Sequence, residues 1–328
     1  MQAYGIQAFG QPEVFQRMEL NVPSLRAGHV FIRVKATSIN PVDYKIRAGI
    51  LPDLSPAFPA VLHSDVAGVI EAVGEGVTTL QVGDEVYACA GGIQGMSGAL
   101  AELMLADATL VARKPKSLSF SQAAALPLVS ITAWEGLIDR AQVQPGQRVL
   151  VYGGTGGVGH IAIQLAKWRG AKVFATTSSP KKAEIAKQLG ADEVIDYRHQ
   201  SAEDYVQQYT HDQGFDIVFD TVGNDNLQCA FQATKINGQV VSILALSAQD
   251  LVPMHIRGLS LHIVYMLLPM LTGINRAYHR EILTKLATLV DSQQIRPLID
   301  QVFAISDIAQ AHRYAESGQA IGKVVVEW

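Results

Sequence analysis

The stretch VLVYGGTGGVG at residues 149–159 decides the fold. An apolar run typical of a buried strand leads into a glycine-rich turn, and the turn opens into a helical pattern. Gly154, Gly156 and Gly159 fit G-x-G-x-x-G. There the first glycine allows a tight turn, the second leaves room for a pyrophosphate, and the third lets helix and strand pack closely. The following helix then directs its N-terminal amides and the positive end of its dipole at the phosphates.

The residues after this turn repeat a strand–helix alternation. Apolar residues over 158–166 follow the i, i+3, i+4, i+7 spacing of a helix packed on a sheet. Residues 172–176 predict the next strand, and Ser179 followed by Pro180 predicts the start of a second helix. Further strands are predicted at residues 194–195 and 216–219. This pattern favours a doubly wound α/β domain that binds a dinucleotide, over a glycine turn without a ligand.

Composition limits the remaining classes. The 328 residues are 48% hydrophobic with a net charge of −4, which allows a large core and gives no basic surface for nucleic acid. The two cysteines supply no disulfide framework. The apolar stretch at 259–274 is broken by Pro269 and Gly273 and is too short to span a membrane. Because the N-terminus also lacks a signal-peptide pattern, we expect a cytoplasmic protein.

Short strands punctuated by glycines dominate the first 120 residues and indicate a β-rich domain. The strand–helix alternation occupies residues 121–295. The last segment, 296–328, contains two strand patterns around a helix pattern and is expected to return to the first domain. We therefore predict two domains, 1–120 with 296–328, and 121–295.

Motifs along the whole chain resemble the medium-chain dehydrogenase/reductase superfamily, and within it the zinc-free quinone oxidoreductase-like branch. The matching stretches, in chain order, are SINPVD at 38–43, FPAVL at 58–62 with Gly68, GDEVY at 83–87, GALAE at 98–102, LPL at 126–128, and GKVV at 322–325. The resemblance implies a GroES-like substrate domain, a Rossmann domain, and an active site in the cleft between them.

The resemblance also allows the metal site to be checked. Zinc-dependent relatives use three protein ligands, commonly Cys, His and Cys. The matching positions here hold Asn40, Ser64 and Leu128, and of the cysteines needed for a structural zinc lobe only Cys89 is present. We therefore expect a metal-free protein, with His63 an ordinary polar residue.

The end of the second strand of the dinucleotide-binding pattern predicts NADPH. An NAD-preferring domain has an acidic residue about 20 positions after the glycine loop, and this residue binds the 2′-hydroxyl of the ribose. Thr177 holds that position. Ser178 and Lys182 offer a hydroxyl and a cation to a 2′-phosphate, unless Lys182 merely solvates its helix. The resemblance adds Tyr197 as a neighbour of the same phosphate.

The remaining cofactor contacts rest on the resemblance. They are expected along the cleft, at the glycine loop and after two later strands. Lys323 is expected either to contact the cofactor or to be a surface charge. The predicted cofactor-binding residues are Thr132, Gly154, Thr155, Gly156, Gly157, Val158, Ser178, Lys182, Tyr197, Val222, Ile243, Leu244 and Lys323.

Three residues are predicted to serve catalysis. Asn40 is expected to donate a hydrogen bond to a substrate oxygen, Asp43 to orient the Asn40 turn or the cofactor, and Tyr44 either to protonate an enolate or to face solvent. The predicted function is NADPH-dependent hydride transfer to quinones or α,β-unsaturated carbonyls. A zinc-free alcohol dehydrogenase-like enzyme and an NADPH-binding sensor or structural protein remain alternatives. A homodimer is also expected, with residues 259–268 at its edge.

Overall fold

The computed structural model describes all residues, Met1–Trp328. Two compact units are present: Met1–Leu128 with Leu267–Trp328, and Val129–Met266. These limits differ from the expected boundaries after residues 120 and 295. The main difference is the segment 267–295, which belongs to the first unit.

Strands and helices are numbered in chain order. The strands are β1 Gln2–Gly5, β2 Gln16–Glu19, β3 His29–Ser38, β4 Asp65–Val73, β5 Glu85–Cys89, β6 Leu103–Asp107, β7 Ala112–Arg113, β8 Arg148–Tyr152, β9 Lys172–Thr177, β10 Glu193–Asp196, β11 Phe215–Asp220, β12 Thr234–Ser242, β13 Ser260–Ile263, β14 Ile299–Ala304 and β15 Lys323–Glu327. The α-helices are α1 Pro41–Arg47, α2 Phe120–Ala124, α3 Pro127–Trp134, α4 Gly159–Trp168, α5 Pro180–Gln188, α6 Ala202–Thr210, α7 Asn226–Ala233, α8 Val252–Arg257, α9 Leu268–Thr272, α10 Arg276–Asp291 and α11 Ile308–Glu316.

The first unit is built on a seven-stranded sheet. Its order is β14-β15-β3-β4-β5-β7. Strand β6 pairs with the first half of β3, and β15 pairs with the end of β3. All its pairs are antiparallel except β14 with β15. Glycine is needed at Gly68, because a Cβ there would lie 2.2 Å from the Arg33 carbonyl oxygen on the neighbouring strand. The C-terminal strands β14 and β15, in the segment expected to return to the first domain, lie in this sheet.

Helix α10 explains why the segment 267–295 joins the first unit. Tyr87 on β5 donates a hydrogen bond of 2.6 Å to the Leu283 carbonyl oxygen. Arg276 Nη1 lies 3.0 Å from Asp107 Oδ2, and the Asp291 carboxylate accepts from the backbone amide of Ser117 at 2.9 Å. The apolar periodicity of α10 predicts a helix, but these long-range partners determine which sheet the helix covers.

The second unit contains a six-stranded parallel sheet of order β10-β9-β8-β11-β12-β13. This is the doubly wound order, in which the direction of winding reverses between β8 and β11. The sheet core is fully buried and includes Leu150, Phe174, Phe215 and Val218. Ligands in such folds bind beyond the carboxyl ends of the strands near this reversal. The α/β fold expected from the sequence is confirmed.

Local signals in the second unit also act as expected. Ser179 Oγ accepts from the Lys182 amide at the start of α5, and Gly190 follows the end of that helix with φ 109°. Neither cysteine forms a disulfide. No helix is both long and apolar enough to cross a membrane.

Candidate active site

In the glycine loop between β8 and α4, each position requires glycine for a different reason. Gly153 has φ 63° and makes the tight turn, a role that the sequence pattern gave to Gly154. At Gly154 a Cβ would lie 2.8 Å from the Ala175 Cβ, so this glycine is required by packing. At Gly159 a Cβ would lie 2.1 Å from the Gly153 carbonyl oxygen, which brings helix and strand together. All three are needed for the loop itself.

Gly156 is different. Its nearest neighbour for an added Cβ is the Gly153 carbonyl oxygen at 3.2 Å, and no other atom lies within 4 Å. The loop therefore tolerates a side chain here better than at Gly154 or Gly159. The backbone amides of Thr155, Gly157 and Val158 have no acceptor within the protein. An open glycine surrounded by free amides at a helix N-terminus fits a pyrophosphate.

The predicted 2′-phosphate residues come together at the carboxyl ends of β9 and β10. The strands pair in register, with Thr177 opposite Asp196. Ser178 and Tyr197 each follow directly after this pair, and Tyr197 is 55% exposed. Lys182 lies in the first turn of α5, with no ion-pair partner. This group fits a phosphate, because it presents hydroxyls and a cation.

Arg198 lies beside this group and was not predicted from the sequence. Arg198 Nη2 lies 2.9 Å from Asp196 Oδ2, and the arginine holds the pKa of the Asp196 carboxyl well below its usual range. The only carboxylate at the ends of these two strands is therefore neutralised by a paired cation. The signal available in the sequence was the DYR order at residues 196–198.

Asp220 at the end of β11 was also missed. Its buried carboxylate accepts from the amides of Val222 and Gly223 at 3.0 Å and from Asn226 Nδ2 at 2.8 Å. The Asp220 carbonyl oxygen accepts from the Ile243 amide. One acidic residue thus organises two loops that contain predicted cofactor residues.

The other predicted residues of the second unit are less informative. Leu244 uses its carbonyl oxygen to accept from the Asn224 amide, and Val222 is 50% exposed. Thr132 lies on α3 and is buried. Their proposed roles in cofactor binding stay predictions.

In the first unit, the candidate catalytic group surrounds Asn40, the residue that precedes α1. Asn40 Nδ2 donates to Asp65 Oδ2 at 2.8 Å, and Ser38 Oγ donates to the same oxygen at 2.9 Å. The second carboxylate oxygen of Asp65 accepts from the Leu128 amide at 2.8 Å. All three side chains are at most 1% exposed. Asp65 therefore connects the end of β3, the start of α1 and the start of α3.

Asp43 accepts from the Asn40 amide through Oδ2 at 2.7 Å, which fits the expectation that it orients the Asn40 turn. Burial raises the pKa of Asp43 to about 7, and the charge of nearby Asp65 acts in the same direction. Burial likewise raises the pKa of the half-buried Tyr44 hydroxyl. Neither residue has geometry that supports proton transfer, so Tyr44 as a proton donor stays a prediction.

Lys323 lies in the same group, and its side chain is 2% exposed rather than at the surface. Its ammonium donates to the Ile39 carbonyl oxygen at 2.8 Å and to Asn40 Oδ1, and it lies 3.6 Å from Asp65 Oδ2. Burial lowers the pKa of Lys323, and the charge of Asp65 opposes that shift. The surface-charge alternative is wrong, because the strand start at Lys323 directs the side chain into the unit.

The donor set does not fit a catalytic zinc ion. Asn40 and Ser64 supply an amide and a hydroxyl, and the Leu128 side chain has no donor atom. No group of three or more His, Cys, Asp or Glu residues could hold a metal. We derive no step through zinc.

His63, expected from the sequence to be an ordinary polar residue, lies in a buried hydrogen-bonded group. It has φ 73° and is fully buried, and a Cβ on Gly92 would lie 2.6 Å from its carbonyl carbon. Thr37 Oγ1 donates to the Asp65 carbonyl oxygen, so His63 Nδ1 donates to Thr37 Oγ1 at 3.1 Å. His63 Nε2 then accepts from His312 Nε2 at 2.9 Å. Burial lowers the pKa of His63 to about 3, which keeps this ring neutral.

Comparisons with known proteins agree with this geometry. The model described as "Alcohol dehydrogenase GroES-like domain" matches residues 26–116, and the model described as "Zinc-binding dehydrogenase" matches residues 189–326. The NADPH-dependent alkenal/one oxidoreductase, chloroplastic, of Arabidopsis thaliana is 36% identical, over 99% of this chain and 79% of its own. The quinone oxidoreductase of Homo sapiens is 31% identical, over 99% of this chain and 97% of its own.

A solved structure extends the comparison. The quinone oxidoreductase of Escherichia coli, complexed with NADPH, is 27% identical with a TM-score of 0.89, and the match covers 100% of both chains. The sequence matches and the fold lead to the same assignment. The chain is an oxidoreductase that belongs to the medium-chain dehydrogenase/reductase superfamily, in its quinone oxidoreductase-like branch.

Proposed function

We propose that this protein is an NADPH-dependent reductase of quinones or α,β-unsaturated carbonyls that works without a metal ion. The observation that carries the proposal is the Asn40 site, where the positions of metal ligands hold the Asn40 amide, within a buried hydrogen-bonded group, and the buried hydroxyl of Ser64. Such a site can donate hydrogen bonds to oxygen but cannot act as a strong Lewis acid.

The choice of substrate class follows from charge. When bound, NADPH supplies a hydride to an electron-poor carbon. A saturated ketone would then concentrate negative charge on one oxygen, which is costly in a dry site without a metal. A conjugated carbonyl or a quinone spreads that charge, so the amide of Asn40 suffices to stabilise it. The names of the relatives from Arabidopsis and human support this class.

NADPH is favoured over NADH by the group beyond β9 and β10. Thr177 provides no carboxylate against a 2′-phosphate, Lys182 is free to pair with it, and Asp196 is already neutralised by Arg198. The NADPH complex of the bacterial relative supports the same choice. The free amides of the glycine loop would bind the pyrophosphate. Asp220 holds the backbone of the two later loops that would contact the rest of the cofactor.

The proposal includes a homodimer. Strand β13 lies at the edge of the parallel sheet, and Ile256, Ile263 and Tyr265 near it are exposed apolar residues. An open apolar edge is an aggregation liability unless a second copy pairs with it. Light scattering should therefore give twice the mass of 35.4 kDa, and a monomer at all concentrations would contradict this part.

The cytoplasm remains our expected location.

The first test is turnover of a panel of quinones, enones and simple alcohols, with elemental analysis of the same preparation. We expect NADPH oxidation with quinones or enones, little oxidation of alcohols by NADP⁺, and activity that chelators do not change. Rapid alcohol oxidation or about one zinc per chain would contradict the proposal. Tight NADPH binding without any turnover would favour a sensor.

A further inference from the structure

We propose that Lys323 and Asp65 are positioning residues that fix the Asn40 amide, so that one of its N–H groups stays free to donate to the substrate. The inference rests on the proposed catalytic role of Asn40. It gives Lys323 a different task from cofactor binding, the role that the resemblance implies.

The two atoms of the Asn40 amide face opposite charges. Its Oδ1 accepts from the Lys323 ammonium, and its Nδ2 donates to Asp65 Oδ2 at 2.8 Å. Reversing the amide would place its oxygen against the carboxylate and its N–H groups against the ammonium. Both contacts would then be repulsive, so the pair selects one orientation.

This orientation leaves a specific donor unused. An amide nitrogen carries two hydrogens, and Asn40 Nδ2 has one acceptor within the protein. The ammonium also withdraws electrons through Oδ1, which strengthens the remaining N–H as a donor. The amide thus transmits part of the Lys323 charge, although the ammonium itself does not contact the substrate.

Lys323 has little capacity for another ligand. An ammonium has three donors, and the three oxygens that face it belong to Ile39, Asn40 and Asp65. Binding a cofactor phosphate would require the ammonium to leave these partners, so we expect its loss to affect turnover rather than NADPH affinity.

The test uses the full chain and a double-mutant cycle. Lys323→Met removes the charge and keeps most of the apolar stem. We expect kcat with an enone to fall about tenfold or more, by analogy with removal of an oxyanion donor. The Kd for NADPH, measured by fluorescence titration, should change less than about twofold. In an Asn40→Ala background the same substitution should change kcat less than about twofold, because interacting residues are not additive.

Lys114→Met is the matched control. Lys114 is 8% exposed, donates to the Leu118 carbonyl oxygen at 2.7 Å, and pairs with Glu85 at the other end of β5 from Cys89. Like Lys323→Met, this substitution removes a buried ammonium from the first unit. Lys114 has no contact with Asn40, so kcat should not change. If Lys323→Met does not fold by circular dichroism, the isosteric Asp65→Asn replaces it, with the same expected loss and the same coupling to Asn40.

A loss of NADPH affinity with unchanged kcat would overturn the inference, and so would a loss of kcat that adds fully to that of Asn40→Ala. The side-chain ¹⁵N–¹H signals of Asn40 separate this result from failure of the proposed function. They should shift in Lys323→Met without substrate and stay in place in Lys114→Met. Shifted signals in a protein that reduces no enone would sustain the positioning and refute the function. Unshifted signals in an active enzyme would refute the positioning alone.

Discussion

The candidate cofactor site of the second unit and the candidate catalytic group of the first unit are built in different ways. Around the glycine loop, the groups expected to bind the cofactor are backbone amides and glycines within residues 153–159, and they are neighbours in the chain. Around Asn40, the groups are side chains from residues 38–43, 65 and 323, together with the backbone amide of Leu128, and these segments are distant in the chain. A site made of local backbone tolerates few changes of shape, whereas a site made of distant side chains depends on charge balance. The predictions test this contrast.

The largest effect is expected in the glycine loop. Gly159→Ala places a Cβ 2.1 Å from a backbone oxygen that cannot move away, so we expect a loss of roughly 2–4 kcal/mol of unfolding free energy. Thermal unfolding followed by circular dichroism measures it.

Gly156→Ala is the control within the same loop. Its Cβ meets only one atom, at 3.2 Å, so stability should change by less than about 1 kcal/mol. NADPH affinity should nevertheless fall, because the methyl group enters the place expected for the pyrophosphate. Equal destabilisation by both substitutions would contradict the division of roles among the glycines.

The next effect concerns Asn40. Asn40→Ala should lower kcat about a hundredfold, the usual cost of losing one donor to a developing oxyanion. The Kd for NADPH should change little, because the proposed bond strengthens only as charge develops. Steady-state kinetics and a fluorescence titration compare the two quantities. A larger loss in NADPH affinity than in kcat would assign Asn40 to cofactor binding.

The same difference between local backbone groups and distant side chains also explains what the sequence could predict. The Rossmann sheet, the glycine loop and the Thr177 position follow from spacing along the chain and were predicted. Asp220 was missed because the Val222 and Gly223 groups that donate to it are backbone amides, which any residue supplies, and Asn226 is its one further side-chain amide donor. The Lys323–Asp65 pair was missed because 258 residues separate its members, and no periodicity or motif links a strand start to another distant strand start. Segment 267–295 was placed differently for the same reason.

A pH effect of intermediate size is expected from His63. Its pKa is about 3 in the folded protein, against 6.5 for an ordinary histidine. The unfolded chain therefore binds more protons between these values, and folding stability is lost as the pH falls from 6.5 towards 3. His63→Asn retains a residue that tolerates positive φ but removes this titration. The slope of unfolding free energy against pH should become shallower by about 1.4 kcal/mol per unit.

Urea unfolding of both proteins at several pH values between 4 and 6 measures that slope. Asp43, with a pKa of about 7, contributes in the opposite direction in both proteins, so the difference between the two slopes reports on the loss of His63. An unchanged slope would show that His63 is charged in the folded protein.

The smallest effect concerns cofactor choice. Lys182→Ala should weaken NADPH binding about tenfold, because a charge-assisted hydrogen bond is worth about 1.5–3 kcal/mol. NADH binding should be nearly unchanged. Lys187→Ala, an exposed lysine in the last turn of the same helix, is the matched control and should alter neither. An equal loss of affinity for NADPH and NADH in Lys182→Ala would show that Lys182 does not recognise the 2′-phosphate.

The central claim is that hydride goes to a conjugated carbon without a metal. The most direct measurement supplies NADPH with deuterium on its transferable position to but-3-en-2-one and locates the label in the product by NMR. The account predicts butan-2-one with deuterium on the carbon β to the carbonyl, and no reaction of butan-2-one itself. Deuterium on the carbonyl carbon, in an alcohol product, would contradict it.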